Sequence, residues 1–265
     1  MIVLDKVELL TPAVADVFDA YAALEQMAAQ RGMAEPGHAA WLGGWLVAVL
    51  DVDVQGIAAL VAGAVAGAAV LAVDAQRERV KELLRYGICD FVVNDLDEAL
   101  RILKNEVRKK QPVSVCLSAD PEKTALEMVE RGLQPEVLAG QHVVWAATLV
   151  ERGALWLEDG SEHGAELGTM VTWRLRNQTA AWAAGPVLAR VDELASAMLE
   201  DAAEGTALRR QWLQRAPRYL GRKLAAQRCV RMSDAEVSRL VEALGRDQAL
   251  AAQMVVTRDG VAVEF

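Results

Sequence analysis

Histidine and cysteine are scarce in this chain, and the few present are scattered. Cys89, Cys116 and Cys229 are odd in number and form no C-x-x-C pair, which excludes a disulfide framework and a zinc knuckle. Two of them fall inside apolar, strand-like runs, so buried reduced thiols are expected. His38, His142 and His163 show no metal-ligand spacing, and no metal is expected. There is no G-x-S-x-G elbow and no Ser/His/Asp arrangement, which removes the usual hydrolase chemistry. No low-complexity tract interrupts a globular composition. The N-terminus lacks the basic, apolar, small-residue order of a secretory signal, so a cytoplasmic protein is expected. A net charge of −9 argues against nucleic acid or an anionic membrane as a partner of the bulk surface.

Charge is also missing from Gly56 to Val73, where Gly63 and Gly67 form a G-x-x-x-G pair and Arg77, Arg79 and Lys81 follow. That length reaches the lower limit for a membrane span. Much of the run is Ala and Gly, however, and Asp51, Asp53 and Asp74 sit at its ends. A buried helix from Gln55 to Ala66, feeding a central strand from Ala69 to Val73, accounts for the same pattern. No membrane association is expected.

What is present is an alternation of strands and helices. Thr11-Pro12 opens an N-terminal helix whose apolar residues Val14, Val17, Phe18, Tyr21 and Leu24 recur until Gly32. Beyond Pro36-Gly37, apolar strands are expected at Trp45–Val52, Ala69–Val73, Ile88–Val93, Val113–Leu117 and Pro135–Leu138, with helices between them. Asp95 and Asp120-Pro121-Glu122 are helix starts. The order predicts an α/β, doubly wound, Rossmann-like parallel sheet. From about Gly160 the chain turns to Ala/Leu/Arg helices at Thr179–Glu204 and Thr206–Val230. A capping box at Ser233–Glu236 and a hairpin around Arg258-Asp259-Gly260 follow. Three segments are therefore expected: a helical 1–37, a Rossmann-like 38–160, and a mostly helical 161–265 ending in a hairpin.

A dinucleotide site needs glycine at the first strand–helix turn and an acid at the end of the second strand. Gly56, beside Gln55, and Asp74 stand at the right separation. Only one glycine lies in the turn, and Asp51 and Asp53 bring negative charge where a pyrophosphate would sit. From the motif alone, Asp74 reads as a strand-end surface acid before it reads as a ribose ligand.

Three ordered pieces carry a family resemblance: V-A-G-A-A-V-L-A-V-D-A-Q-R-E-R-V (Val65–Val80), L-D-E-A-L (Leu96–Leu100) and V-E-R-G-L-Q-P-E-V-L (Val129–Leu138). Over roughly Ala39 to Gln141 the chain resembles the NAD-binding domain of urocanases (urocanate hydratases), which add water to urocanate with a tightly bound NAD⁺ acting as an electrophile. The resemblance implies a Rossmann fold, NAD as cofactor, and lyase or hydratase chemistry in a homo-oligomer. It maps the family's strand-end glutamate onto Asp74, a following arginine onto Arg79, and a G-N loop onto Ala119-Asp120. The family's D-Q-T-S-A-H-D corresponds to Gly140–Ala146, where Gln141 is retained and His142 lies just past a strand end. The double-glycine turn is reduced to Gly56, and the family's cysteine-bearing catalytic segment has no counterpart. Two functions are therefore expected as alternatives: a urocanase-like NAD-binding protein acting on a small molecule, or a non-catalytic relative used for assembly or regulation.

The second alternative rests on a basic segment. Arg209, Arg210, Arg215, Arg218, Arg222, Lys223, Arg228 and Arg231 lie between Thr206 and Arg231 with no acid among them. Such a run could clamp a phosphate, touch nucleic acid or meet an acidic subunit. Trp212, Leu213, Tyr219 and Leu220 make it amphipathic, which favours a dock against the protein's own acidic surface, within one chain or between subunits.

Overall fold

The structure is a computed structural model that describes residues 11–32, 41–140, 144–158, 164–177, 181–203 and 205–264. It contains two compact units. Leu42–Glu158 form the first, and Ala13–Trp41 with Asp159–Phe265 form the second.

The first unit alternates strictly. β1 (Leu46–Leu50), α2 (Val54–Ala66), β2 (Ala69–Asp74), α3 (Arg77–Tyr86), β3 (Phe91–Val93) and α4 (Leu96–Lys109) come first. β4 (Val113–Ser118), α5 (Pro121–Glu130), β5 (Val137–Gly140), α6 (Val144–Glu151) and β6 (Leu155–Trp156) complete it. The six strands are parallel in the order β3-β4-β2-β1-β5-β6. This is the Rossmann-like architecture expected. β1 is central, and the chain leaves it first toward β2 and later returns on its other side as β5. The β1/β5 boundary is therefore the switch point at which such sheets form a crevice.

Alternation along the buried strands sends Ala48, Leu50, Leu71, Val73, Val115, Leu117 and Leu138 to one face, where they pack with α4, α5 and α6. The other face receives α2. Its Gly63 lies so close that an added Cβ would be 2.9 Å from the Val70 side chain. The apolar run that met the lower limit for a membrane span is thus a 13-residue helix, a turn at Gly67 and the central strand β2. No helix among the described residues is long and apolar enough to cross a membrane.

The second unit combines helices with a sheet that the sequence reading did not foresee. It contains α1 (Val14–Gln30), β7 (Thr169–Leu175), α7 (Ala181–Met198), α8 (Thr206–Tyr219), α9 (Gly221–Leu224) and β8 (Gln227–Met232). α10 (Asp234–Arg246), α11 (Gln248–Ala251), β9 (Met254–Arg258) and β10 (Val261–Ala262) follow. Four strands make an antiparallel sheet in the order β10-β9-β7-β8. Only its hairpin, β9–β10 around Asp259-Gly260, was legible from turn chemistry. The helix expected to reach Val230 ends at Tyr219, after Pro217, and residues 227–232 pair with β7 instead. Cys229 is therefore a buried strand residue rather than a helical one. α1 starts two residues later than expected, with the Asp16 carboxylate accepting from Ala13 N–H at 2.8 Å. It is not a separate segment: Phe18 meets Trp212 edge-on at 5.3 Å, and Asp19 pairs with Arg231.

Four of the eight cations of the basic segment meet acids among the described residues of this unit. Arg209 pairs with buried Glu236 at 2.6 Å, Arg210 with Asp201, Arg228 with Asp192 and Arg231 with Asp19, while Arg215 stacks over Trp41 at 3.8 Å.

Candidate functional site

The C-terminal edge of the parallel sheet is where a ligand of this fold would be held, and the β1–α2 turn is its centre. Leu50 ends β1, and Asp51 then adopts a left-handed backbone, φ 74, that costs a non-glycine residue conformational energy. The Asp51 carbonyl passes against Gly56, where an added Cβ would lie 2.4 Å from its oxygen. On the other side, Gly140 at the end of β5 approaches the Leu50 carbonyl so closely that a Cβ there would be 2.2 Å away. Both glycines thus give up their side-chain space to the Leu50–Asp51 backbone. In a dinucleotide site that space lets the cofactor approach.

The N-terminus of α2 is also filled from within. Asp53 is its N-cap, and its Oδ1 accepts the Gly56 N–H at 2.7 Å. Other helices at this edge follow suit. Asp95 caps α4 through Glu98 N–H, Asp120 caps α5 through Lys123 N–H at 2.9 Å, and Glu122 accepts from the first residue of α6, Val144 N–H, at 3.0 Å. These are the backbone donors that bind phosphates in nucleotide proteins, and each cap here is a carboxylate of the chain itself.

Asp74 is not the surface acid that its position in the sequence suggests, since it is only 1% exposed. Its Oδ1 accepts from Gln76 N–H at 2.6 Å, and its Oδ2 accepts from Val52 N–H at 3.2 Å and from Arg79 Nη1 at 2.7 Å. Arg79 Nη1 also reaches Asp51 Oδ1 at 3.2 Å and the Val52 carbonyl at 3.1 Å. One guanidinium therefore ties the turn to the end of β2 and balances two carboxylates. Burial and the neighbouring Asp74 charge push the Asp51 carboxyl above its ordinary range, with Arg79 opposing them.

The sequence-derived residues thus divide. Gly56, Asp74 and Arg79 come together around Asp51, Gln55 stands exposed on the first turn of α2, and Asp120 sits at the end of β4. Gln141, His142 and the other two histidines, His38 and His163, lie outside the described residues. Sequence reading missed the part played by Gly140 and Glu122, whose partners are remote in the chain. Asp51 and Asp53 were visible as charges, but not as a backbone wedge and a helix cap.

These residues do not fit a dinucleotide held in the β1–α2 turn. A pyrophosphate there would face Asp51 and Asp53, would compete with the Asp53 cap for the Gly56 N–H, and would find no free oxygen on Asp74 for the ribose. Among the described residues, no group of His, Cys, Asp and Glu could hold a metal ion.

Residues 54–148, from the start of α2 into α6, match the family model of the urocanase Rossmann-like domain. The match begins just after the turn that carries Asp51 and Asp53. The comparison, the three sequence pieces and the six-stranded parallel sheet all identify the same part of this chain as a Rossmann-like domain similar to that of the urocanases.

Proposed function

We propose that this chain uses a urocanase-type Rossmann-like domain as a structural and regulatory scaffold, without dinucleotide-dependent hydratase chemistry. The observation that carries the reading is the occupied α2 N-terminus. Asp53 takes the Gly56 N–H, and the Asp51 backbone takes the space that the glycine leaves. A helix N-terminus binds an anion through free N–H groups and a positive local field, and a fixed carboxylate at 2.7 Å takes the Gly56 N–H and offsets the field. The reading includes assembly into a homo-oligomer and residence in the cytoplasm. Three buried, unpaired thiols fit a reducing compartment.

A second reading keeps NAD and a hydro-lyase activity, and two observations favour it. The match spans α2 to α6, and the crevice at the β1/β5 switch point is where this fold class takes its ligands. In that reading Asp120, Gln141 and His142 would line the site, and the turn would have to open.

Denaturing protein purified without added cofactor, and analysing the supernatant by mass spectrometry, separates the two. The scaffold reading expects no NAD and no saturable NAD binding by the native protein. NAD released in amounts close to one per chain would overturn it and establish the cofactor of the second reading. Light scattering of the same preparation tests the oligomer.

A further inference from the structure

The second unit contains a cleft of about 880 Å³ between one face of α7 and one face of α8, with β8 at its floor. Its α7 lining follows helical spacing and consists largely of small residues, which leaves the cleft open. Leu213 and Pro217 of α8 supply an apolar wall. Volume and lining fall within the range of small-molecule sites.

The polar groups are unevenly satisfied. Arg228 reaches the floor from β8, only 7% exposed, with Nε on Asp192 Oδ2 at 3.3 Å and Nη1 on the Ala225 and Gln227 carbonyls at 2.6 and 2.9 Å. Its Nη2 has no partner among the described residues. Asp192 spends its other oxygen on Trp173 Nε1 at 2.9 Å, so the pair is held rigidly and its remaining donor is fixed in direction. Above it, the Glu193 carboxylate has no partner among the described residues, and Arg210 lines the same cleft while bonded to Asp201 and to the Leu199 carbonyl. This unused guanidinium N–H opens onto the cleft, so a ligand oxygen can take it up without displacing a bond within the protein.

The cleft thus carries two cations and two carboxylates. A simple anion would gain from Arg228 and lose to Asp192 and Glu193, and a simple cation would meet the converse. A molecule bearing both charges gains from both. We propose that this cleft binds a small zwitterion of the amino-acid or short-peptide class. Its carboxylate sits on Arg228 Nη2, its ammonium group on Glu193, and its apolar body against Leu213 and Pro217. The charged atoms recognise a free amino acid and a dipeptide alike, and the length of the cleft decides between them.

Calorimetric titration of the full chain with leucine, glycyl-leucine and leucyl-leucine tests this, with N-acetyl-leucine and leucinamide as single-charge controls. At least one zwitterion is expected to bind, and both controls to bind about tenfold more weakly or not at all, since each loses one charge-assisted contact. Glu193→Gln, at an exposed unpaired position, should weaken binding about tenfold, and Ser196→Leu, which fills the cleft from α7, should abolish it, both with native circular dichroism. If no zwitterion binds, if the controls bind equally, or if both variants bind as the parent does, the proposal is wrong. Preference for leucine over the dipeptides identifies amino acids as the class, and the reverse identifies peptides.

Discussion

The Arg79 guanidinium is held between the Asp74 carboxylate, at 2.7 Å, and the Asp51 carboxylate, at 3.2 Å, so that one cation joins the end of β2 to the β1–α2 turn. Asp74 is almost wholly buried, and this pair and two backbone N–H groups account for its charge. An acid at this position in a Rossmann sheet is usually read as a ribose ligand. Here it is the anchor of a closed turn.

Arg79→Met is expected to destabilise the chain by about 3 kcal/mol, because it leaves a buried carboxylate without its counter-charge. Urea unfolding measures the loss. Arg79→Lys should recover part of it, since an ammonium group balances the charge but sits on a shorter side chain than the Nη1 that meets these three oxygens. A loss below about 1 kcal/mol for the methionine variant would mean that Asp74 is solvated in solution.

Asp53→Ala removes the α2 cap and should cost about 1 kcal/mol, whereas Asp53→Ser should cost far less because a hydroxyl can accept the same Gly56 N–H. The two variants also separate charge from capping. If Asp53→Ser gains measurable affinity for inorganic pyrophosphate and the parent has none, the carboxylate is what closes the anion site.

The two glycines against the Leu50–Asp51 backbone should be far less tolerant than a surface glycine. Gly140→Ala combines a positive φ of 95 with a Cβ 2.2 Å from the Leu50 oxygen, and Gly56→Ala places one 2.4 Å from the Asp51 oxygen. Each is expected to cost more than about 2 kcal/mol. Gly132→Ala has a positive φ but open space, and should cost about 1 kcal/mol. Thermal and urea unfolding of the three variants compare them directly.

Burial raises the Asp192 carboxyl to about 6, with Arg228 and the Trp173 hydrogen bond opposing and Glu193 adding to the rise. Between the unfolded value near 4 and the folded one, the native chain binds more protons than the unfolded chain. The stability contributed by this group is therefore greatest at acid pH and declines as pH rises through about 6. The stability of the parent relative to Asp192→Asn, measured by urea unfolding from pH 4.5 to 7.5, should fall across that window. A difference that rises instead would mean that the Arg228 pairing dominates desolvation.

Much of the first unit was legible in sequence because its signals are local. Continuous apolar runs of strand length and Asp95 and Asp120 as caps each report on their own few residues, and α/β alternation leaves little choice of sheet. The second unit was not legible in the same way. Residues 227–232 use helix-forming and cationic side chains, and they become a strand because β7 lies alongside and Asp19 and Asp192 receive their arginines. Propensity is a weak term, which pairing and burial override.

At the candidate site the division is sharper. The chain alone determined that an acid and one glycine stand at Rossmann spacing, with Arg79 added by the family resemblance, and that Asp51 and Asp53 add negative charge to the turn. Only the tertiary structure decided what those groups do. The direction of a carboxylate and the occupant of the space above a glycine depend on residues 20 to 90 positions away, such as Val52 for Asp74 and Leu50 for Gly140. Those contacts exist only once β1, β2 and β5 lie side by side, and that is why the same spacing can hold a cofactor in one protein and close upon itself in this one.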